Sequence, residues 1–234
     1  MVGRNRNTEK SNWRKSLAIV ILLAGLGVLF YPQLHDLFYR RQIADVKKDF
    51  MQDKEPDGNP AYDALYELLK AENERLFATG QNGLVDAFSY EQPAVDLSEY
   101  GIRDNCIGFI SIPCIKIELP IYLGANTENM LKGSTHLTQT SYPIGGENTN
   151  CVIAAHRGRS VRQFREIHKI AIGDEITITN FRETLTYRAA KIKIISPSDI
   201  AEILIQPDKD LVTLISCHPL GANYQRYAVY CERV

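Results

Sequence analysis

Three residues of this sequence have types and settings suited to nucleophilic acyl chemistry: Cys217, His156 and Arg226. Cys217 ends the apolar run Leu211-Val212-Thr213-Leu214-Ile215-Ser216 and is followed at once by His218-Pro219-Leu220-Gly221, which must leave an extended strand. A thiol at a strand end beside a Pro/Gly turn is offered to solvent, and function concentrates at such termini. His156 ends Val152-Ile153-Ala154-Ala155 in the same manner, and strand alternation puts Val152, Ala154 and His156 on one face. A thiol must lose its proton to attack a carbonyl; a neighbouring imidazole takes that proton or lowers the thiol pKa. Arg226 opens Arg226-Tyr227-Ala228-Val229-Tyr230-Cys231, only a turn away from Cys217, so the two strands are expected to be neighbours. By alternation Arg226, Ala228 and Tyr230 share a face, and a permanent cation there would steady a thiolate or an oxyanion. Taken singly, each residue has a plainer reading: a small buried hydrophobe, a structural histidine, a surface ion pair. The set, rather than any member, points to chemistry.

The elements that must position these residues are mostly short strands. Gly108 to Ile112, Lys116 to Tyr122, Cys151 to Ala155, Glu175 to Ile178, Leu185 to Ile195, Leu211 to Ser216 and Tyr227 to Cys231 are β-branched or aromatic. Gly145-Gly146, Gly173-Asp174 and Pro219 to Asn223 punctuate them. A short helix is expected at Val161 to His168. Upstream, Leu34 to Met51 and Tyr62 to Phe77 carry apolar residues at helical intervals, separated by the acidic, Pro/Gly-containing stretch Asp53 to Pro60. Asp86 to Gly101 reads as an irregular segment of the length that functional loops have. Many short strands with few helices argue a closed or sandwiched β fold with the N-terminal helices packed outside it.

The chain has 27 basic and 28 acidic residues, so no overall basic field points to nucleic acid. The first fifteen residues nevertheless hold Arg4, Arg6, Lys10, Arg14 and Lys15 against Glu9 alone. The uncharged run Ser16 to Gln33 follows, its apolar heart at Leu17 to Tyr31 and its flanks marked by Trp13 and Tyr31. This is the pattern of an uncleaved signal anchor with its N-terminus cytoplasmic and the rest of the chain outside. A cleaved signal peptide is disfavoured because Tyr31-Pro32-Gln33-Leu34-His35 is a poor cleavage site. Five cysteines, Cys106, Cys114, Cys151, Cys217 and Cys231, are an odd number for an exported chain, so at least one free thiol is expected. Their spacings contain no CxxC, and a site built from Cys217, His218 and His156 lacks metal-ligand spacing, so no metal or other cofactor is expected.

Together these motifs resemble those of the sortases. Thr213-Leu214-Ile215-Ser216-Cys217 is similar to the signature T-L-x-T-C, with serine in place of the second threonine. Ala155-His156-Arg157-Gly158 is similar to the family's histidine motif, and Arg226 falls where its catalytic arginine follows the cysteine. Ile112-Pro113, Leu119-Pro120-Ile121-Tyr122 and Pro143-Ile144-Gly145-Gly146 are further matches, in a resemblance running from about Ile107 to the C-terminus. It implies a mainly β fold, an eight-stranded sortase-type β-barrel with short helices, behind an N-terminal transmembrane helix and helical extension. It also implies cleavage of an LPXTG-type sorting signal between Thr and Gly through a thioester on Cys217, resolved by an amine. His156 would then be the general acid and base, and Arg226 would position substrate and steady the oxyanion. Ser216 and His218, on either side of the nucleophile, are candidate substrate-binding or supporting residues.

The helical N-terminal region and the Ile-Pro…Leu-Pro-Ile-Tyr run resemble class C, the pilin-polymerising sortases. Those enzymes often carry an Asp-Pro-Phe or Asp-Pro-Trp lid; Asp86-Ala87-Phe88 is similar, with alanine for proline. On that reading Asp86 would engage Arg226 and Phe88 would stack near Cys217; an ordinary loop is the alternative. Class C members also often have a second, C-terminal membrane helix, whereas here the sequence stops at Val234 just after the last expected strand. The expected organisation is therefore a basic cytoplasmic tail (1–15), a signal anchor (16–33), a helical extension (34–85), a lid loop (86–101) and the catalytic barrel (102–234). The expected partners are LPXTG-type surface or pilin proteins and an amine acceptor, a pilin lysine or a peptidoglycan cross-bridge. The location is the cell membrane of a Gram-positive-type cell. Two other readings remain open: a cell-wall-anchoring sortase, and a membrane-tethered binding module whose Cys, His and Arg are structural.

Overall fold

A computed structural model of the chain describes residues 6–53, 59–82, 84, 95–158 and 162–234. They fall into two compact units, Met1–Gln42 and Ile43–Val234. Helix α1 (Arg6–Asp53) is continuous and contains Pro32, so the expected anchor and the first extension helix are one element rather than two. Lys15–Gln52 is long and apolar enough to cross a membrane. Ile19 to Leu23, Val28 and Leu29 are exposed, an arrangement that water disfavours and a bilayer core accommodates.

In the second unit, helix α2 (Pro60–Thr79) has sharply marked ends. Asn59 caps its N-terminus by accepting from the Ala61 N–H, and Pro60 takes the first-turn position where a missing N–H costs nothing. Gly80, at φ 66°, turns the chain left-handed at the C-terminus, and the Gly80 and Gln81 N–H groups close on Phe77 and Leu76 carbonyls. Leu65, Leu69, Asn73 and Leu76 form its buried stripe. Within that stripe Asn73 Oδ1 accepts from the Tyr142 N–H at 2.7 Å, which pins the helix to the barrel by a polar contact amid apolar ones.

The barrel comprises β1 (Cys106–Ile112), β2 (Ile117–Leu123), β3 (Ser134–His136), β4 (Thr149–Ala154), β5 (Glu175–Asn180), β6 (Thr184–Ile195), β7 (Asp210–His218) and β8 (Gln225–Arg233). It closes in the order β1-β2-β3-β4-β7-β8-β6-β5. The β2–β3 and β4–β7 pairs are parallel and the others antiparallel. This is the eight-stranded barrel that the sequence predicts, with β3 the one strand that reading missed. At Val161 to His168, where a helix was expected, residues 163–166 form turns and Ile167–Lys169 a 3-10 turn, while 159–161 lie outside the described residues.

Alternation divides β4, β7 and β8 between two faces. Cys151, Ile153, Val212, Leu214, Val229 and Cys231 are buried on the face that fills the barrel. Val152, Ala154, Ile215, Ala228 and Tyr230 form an apolar cluster on the other, together with Leu84, Leu137, Ile195 and Ile203. Lys191 on β6 lies over the Tyr230 ring from solvent, which marks this second face as the outer one.

Leu69 has no exposed surface, so truncating it leaves a cavity at the α2–barrel contact. Leu69→Ala should lower stability by roughly 2–5 kcal/mol in denaturant titration of the full chain in detergent. A loss under about 1 kcal/mol would mean that α2 does not pack as described.

Candidate active site

The position of each candidate residue follows from strand register. The parallel β4–β7 pair aligns Thr149 with Asp210 and, at its far end, Ala154 with Ile215. Pairing continues one step beyond β4, since the Ala155 N–H donates to the Ile215 carbonyl at 3.3 Å. Ser216 Oγ then donates to the Ala155 carbonyl at 2.7 Å. His156 lies two residues past the end of β4, and carrying the same register onward would bring it level with Cys217. On the other side, antiparallel pairing puts Arg226 directly opposite Cys217. Alternation places all three on the outer face, in one row across β4, β7 and β8, with the thiol in the middle. β7 runs one residue past Cys217, so the cysteine occupies the last turn-facing positions of a strand rather than a loop.

Each residue is held by its main chain or its side chain. The His156 N–H donates to Gln163 Oε1 at 2.9 Å, and its carbonyl accepts from the Phe164 N–H at 3.1 Å. Gln163 is itself fully buried and donates through Nε2 to the Met130 carbonyl in helix α3 (Thr127–Lys132). Burial lowers the His156 pKa below the ordinary histidine value, so the neutral, proton-accepting imidazole dominates at neutral pH. Arg226 is only 5% exposed, which removes the surface-ion-pair reading. Its Nη1 donates to the Asn223 and Gln225 carbonyls, fixing the guanidinium against the β7–β8 turn.

Beneath this row lies the apolar floor of Val152, Ala154, Ile215 and Ala228, walled by Ile200, Ile203 and Leu204. The wall is tied down by polar groups that sequence reading did not single out. Asn150 Nδ2 donates to the Ile203 and Leu204 carbonyls, and Thr213 Oγ1 in turn donates to Asn150 Oδ1. Gln81 Oε1 accepts from the Ile205 N–H while its Nε2 donates to the Gln139 carbonyl. Glu202 accepts from Lys193 and Tyr230. Val152, Ala154, Ile215 and Ala228 are fully buried, packed against Leu84, Leu137 and that wall.

Of the other candidates, Ser216 is fully buried and serves as the tie between strand ends just described. His218 is half-buried, and its Nδ1 lies 3.0 Å from Arg157 Nη1. Asp86 and Phe88 lie outside the described residues; Leu84, two positions before Asp86, packs in the outer-face cluster. Among the described residues no three His, Cys, Asp or Glu side chains converge as a metal site requires. Gln163 and Asn150 carry no motif, whereas Arg157 belongs to the histidine motif but was given no role; it follows His156 directly, and alternation would have put it on the opposite face.

The remaining thiols differ from Cys217 in solvation. Cys106 is buried and pushed up to about 12 by desolvation, and desolvation also raises the buried Cys151 and Cys231. Cys114 is exposed, yet partial desolvation and the Asp174 carboxylate push it up to about 11. Iodoacetamide at neutral pH should therefore alkylate Cys217 first among the five, as read by peptide mass. Earlier labelling of Cys114 would contradict this solvation argument.

Comparison with known proteins bears on the same region. The sortase domain model matches residues 110–234. Sortase D of Bacillus subtilis (strain 168) is 32% identical over 130 residues, which are 54% of this chain and 63% of that protein. Sortase A of Listeria monocytogenes is 26% identical over 231 residues, 94% of this chain and 90% of its own. The solved structure of a pilus-related Sortase C of Group B Streptococcus superposes with a TM-score of 0.72 at 31% identity, over 80% of this chain and 96% of that one.

Proposed function

Because the chain belongs to the sortase family of cysteine transpeptidases, we propose that it cleaves an LPXTG-type sorting signal through a Cys217 thioester and passes the acyl group to an amine. The observation that carries this reading is Arg226 directly opposite Cys217, with His156 two residues past the paired end of β4 beside β7. The sorting signal passes Cys217 with its Thr–Gly carbonyl at the thiol. Cys217 Sγ attacks the carbonyl carbon as the thiol proton passes to the neutral His156 imidazole. The carbonyl electrons move onto oxygen, and Arg226 stabilises the resulting oxyanion. Collapse breaks the Thr–Gly C–N bond, and the imidazolium returns its proton to the departing glycine amine. An acceptor amine then attacks the thioester and gives its proton to His156, the C–S bond breaks, and the imidazolium returns that proton to the departing Cys217 sulfur.

The resemblance to the pilus-related Sortase C favours a pilin lysine as the acceptor. A peptidoglycan amine is the second reading. Competition between the two amines for one acyl-enzyme distinguishes them. The apolar span in Lys15–Gln52 supports a membrane anchor. The basic residues before it argue that the N-terminus is cytoplasmic and the barrel faces outward.

Transpeptidation of an LPXTG peptide onto a soluble amine should vanish in Cys217→Ala. It should fall by roughly 10²–10³ in kcat for Arg226→Ala, the loss expected of an oxyanion donor. Turnover by Cys217→Ala would overturn the mechanism. The pH dependence follows from His156: its lowered pKa keeps it neutral down to a lower pH than an ordinary histidine. The acid limb of kcat/KM should therefore fall below about pH 6.5. A limb well above that value would contradict His156 as the base.

A further inference from the structure

The interior face beneath the nucleophile holds a second arginine that the chemistry above leaves unused. Arg157 is 8% exposed, and its Nη1 donates to the Cys217 carbonyl at 3.4 Å and to His218 Nδ1 at 3.0 Å. Its Nε donates to the Arg165 carbonyl, and its Cζ stands 5.4 Å from the centre of the Tyr227 ring. The His218 ring lies 5.8 Å from the same tyrosine. A guanidinium only donates, so His218 Nδ1 must accept, and the imidazole in this arrangement is neutral with its proton on Nε2. Arg157, His218 and Tyr227 thus form one packed group on the side of β7 away from substrate. It holds the main chain of the residue whose side chain reacts.

From this geometry we infer that Arg157 is a positioning residue for the sortase reaction. It fixes the Cys217 main chain through the carbonyl bond and sets a permanent cation on the far side of the nucleophile from Arg226. The inference rests on the catalytic reading of Cys217. Two consequences follow. The cation favours the thiolate, since Cys217 and Arg157 attract each other when the sulfur is charged. The hydrogen bond to His218 also makes the arrangement depend on that imidazole remaining neutral. Desolvation and the Arg157 charge both lower the His218 pKa, which keeps it neutral at physiological pH. The other groups facing this cluster are Tyr227 from β8 and Glu166 and Arg165 from the segment after β4. Glu166 is itself engaged by Lys169.

The test uses the full chain in detergent, with the rate of Cys217 alkylation followed across pH beside the steady-state transpeptidation constants. Arg157→Met should move the alkylation midpoint up by about one pH unit, as loss of a neighbouring cation does. It should lower kcat by roughly tenfold to a hundredfold with KM nearly unchanged, the signature of a misplaced reacting group. Arg157→Lys keeps the charge but loses the planar fork, so its midpoint should stay near the wild type while kcat still falls. This second variant carries the test if Arg157→Met does not fold. An unchanged midpoint in folded Arg157→Met, or full kcat in Arg157→Lys, would overturn the inference. If the unaltered protein alkylates at Cys217 but turns over no peptide, the transpeptidase reading fails instead. The midpoint of Arg157→Met then still decides the role of Arg157.

Discussion

The site depends on one constraint, the pairing of β7 with a parallel neighbour on one side and an antiparallel neighbour on the other. β4 and β7 are far apart in sequence, and their register from Thr149↔Asp210 to Ala154↔Ile215 brings the end of β4, two residues before His156, alongside the end of β7 that carries Cys217. The β7–β8 hairpin independently decides that Arg226 faces the same cysteine. A slip of one residue in either pair would send a partner to the opposite face, because side chains alternate with period two. The ties near the strand ends oppose such a slip: Ser216 Oγ on the Ala155 carbonyl, Thr213 Oγ1 on Asn150 Oδ1 and Arg157 on the Cys217 carbonyl. All act within a few residues of the reacting groups. Register is thus specified where chemistry needs it.

Solvation then sorts groups of like type into different roles. Cys106, Cys151 and Cys231 are enclosed among apolar side chains, where a thiolate is disfavoured and the thiol behaves as a small hydrophobe. Cys217 is half-buried, directly opposite Arg226 on β8. Histidines divide in the same way. His136 is fully enclosed, donates from Nε2 to the Thr140 and Ser141 carbonyls, stacks on Tyr142, and is lowered to about 4 by desolvation. That describes a structural histidine held neutral. His156 is only half-buried at the strand end, with its main chain clamped and its ring on the outer face. The contrast comes from position relative to the barrel surface rather than from residue type.

Local signals carried much of this into the sequence. The apolar run ending at Ser216-Cys217, the strand ending at His156 and the short turn before Arg226 each have a two-residue period that a reader can follow. They put the three candidates at or beside strand ends, and the structure pairs two of them, Cys217 with Arg226. β3 escaped because Ser134–His136 is three polar residues whose strand character exists only through pairing with β2 and β4. Gln163 escaped for a related reason: its role lies in bridging His156 to the Met130 carbonyl, thirty-three positions away. The helix expected near Val161 to His168 gave way because the same segment must bend back so that Gln163 and Phe164 reach His156. The anchor and the helix after it read as separate segments, but α1 runs continuously through both.

The most direct test of the central claim is the intact mass of the full chain after incubation with an LPXTG peptide and no acceptor amine, beside the Cys217→Ala form. The account predicts an adduct on the unaltered protein equal to the peptide acyl portion ending at Thr, released by hydroxylamine and absent from Cys217→Ala. An adduct that persists in Cys217→Ala, or one carried by another of the five cysteines, would contradict it.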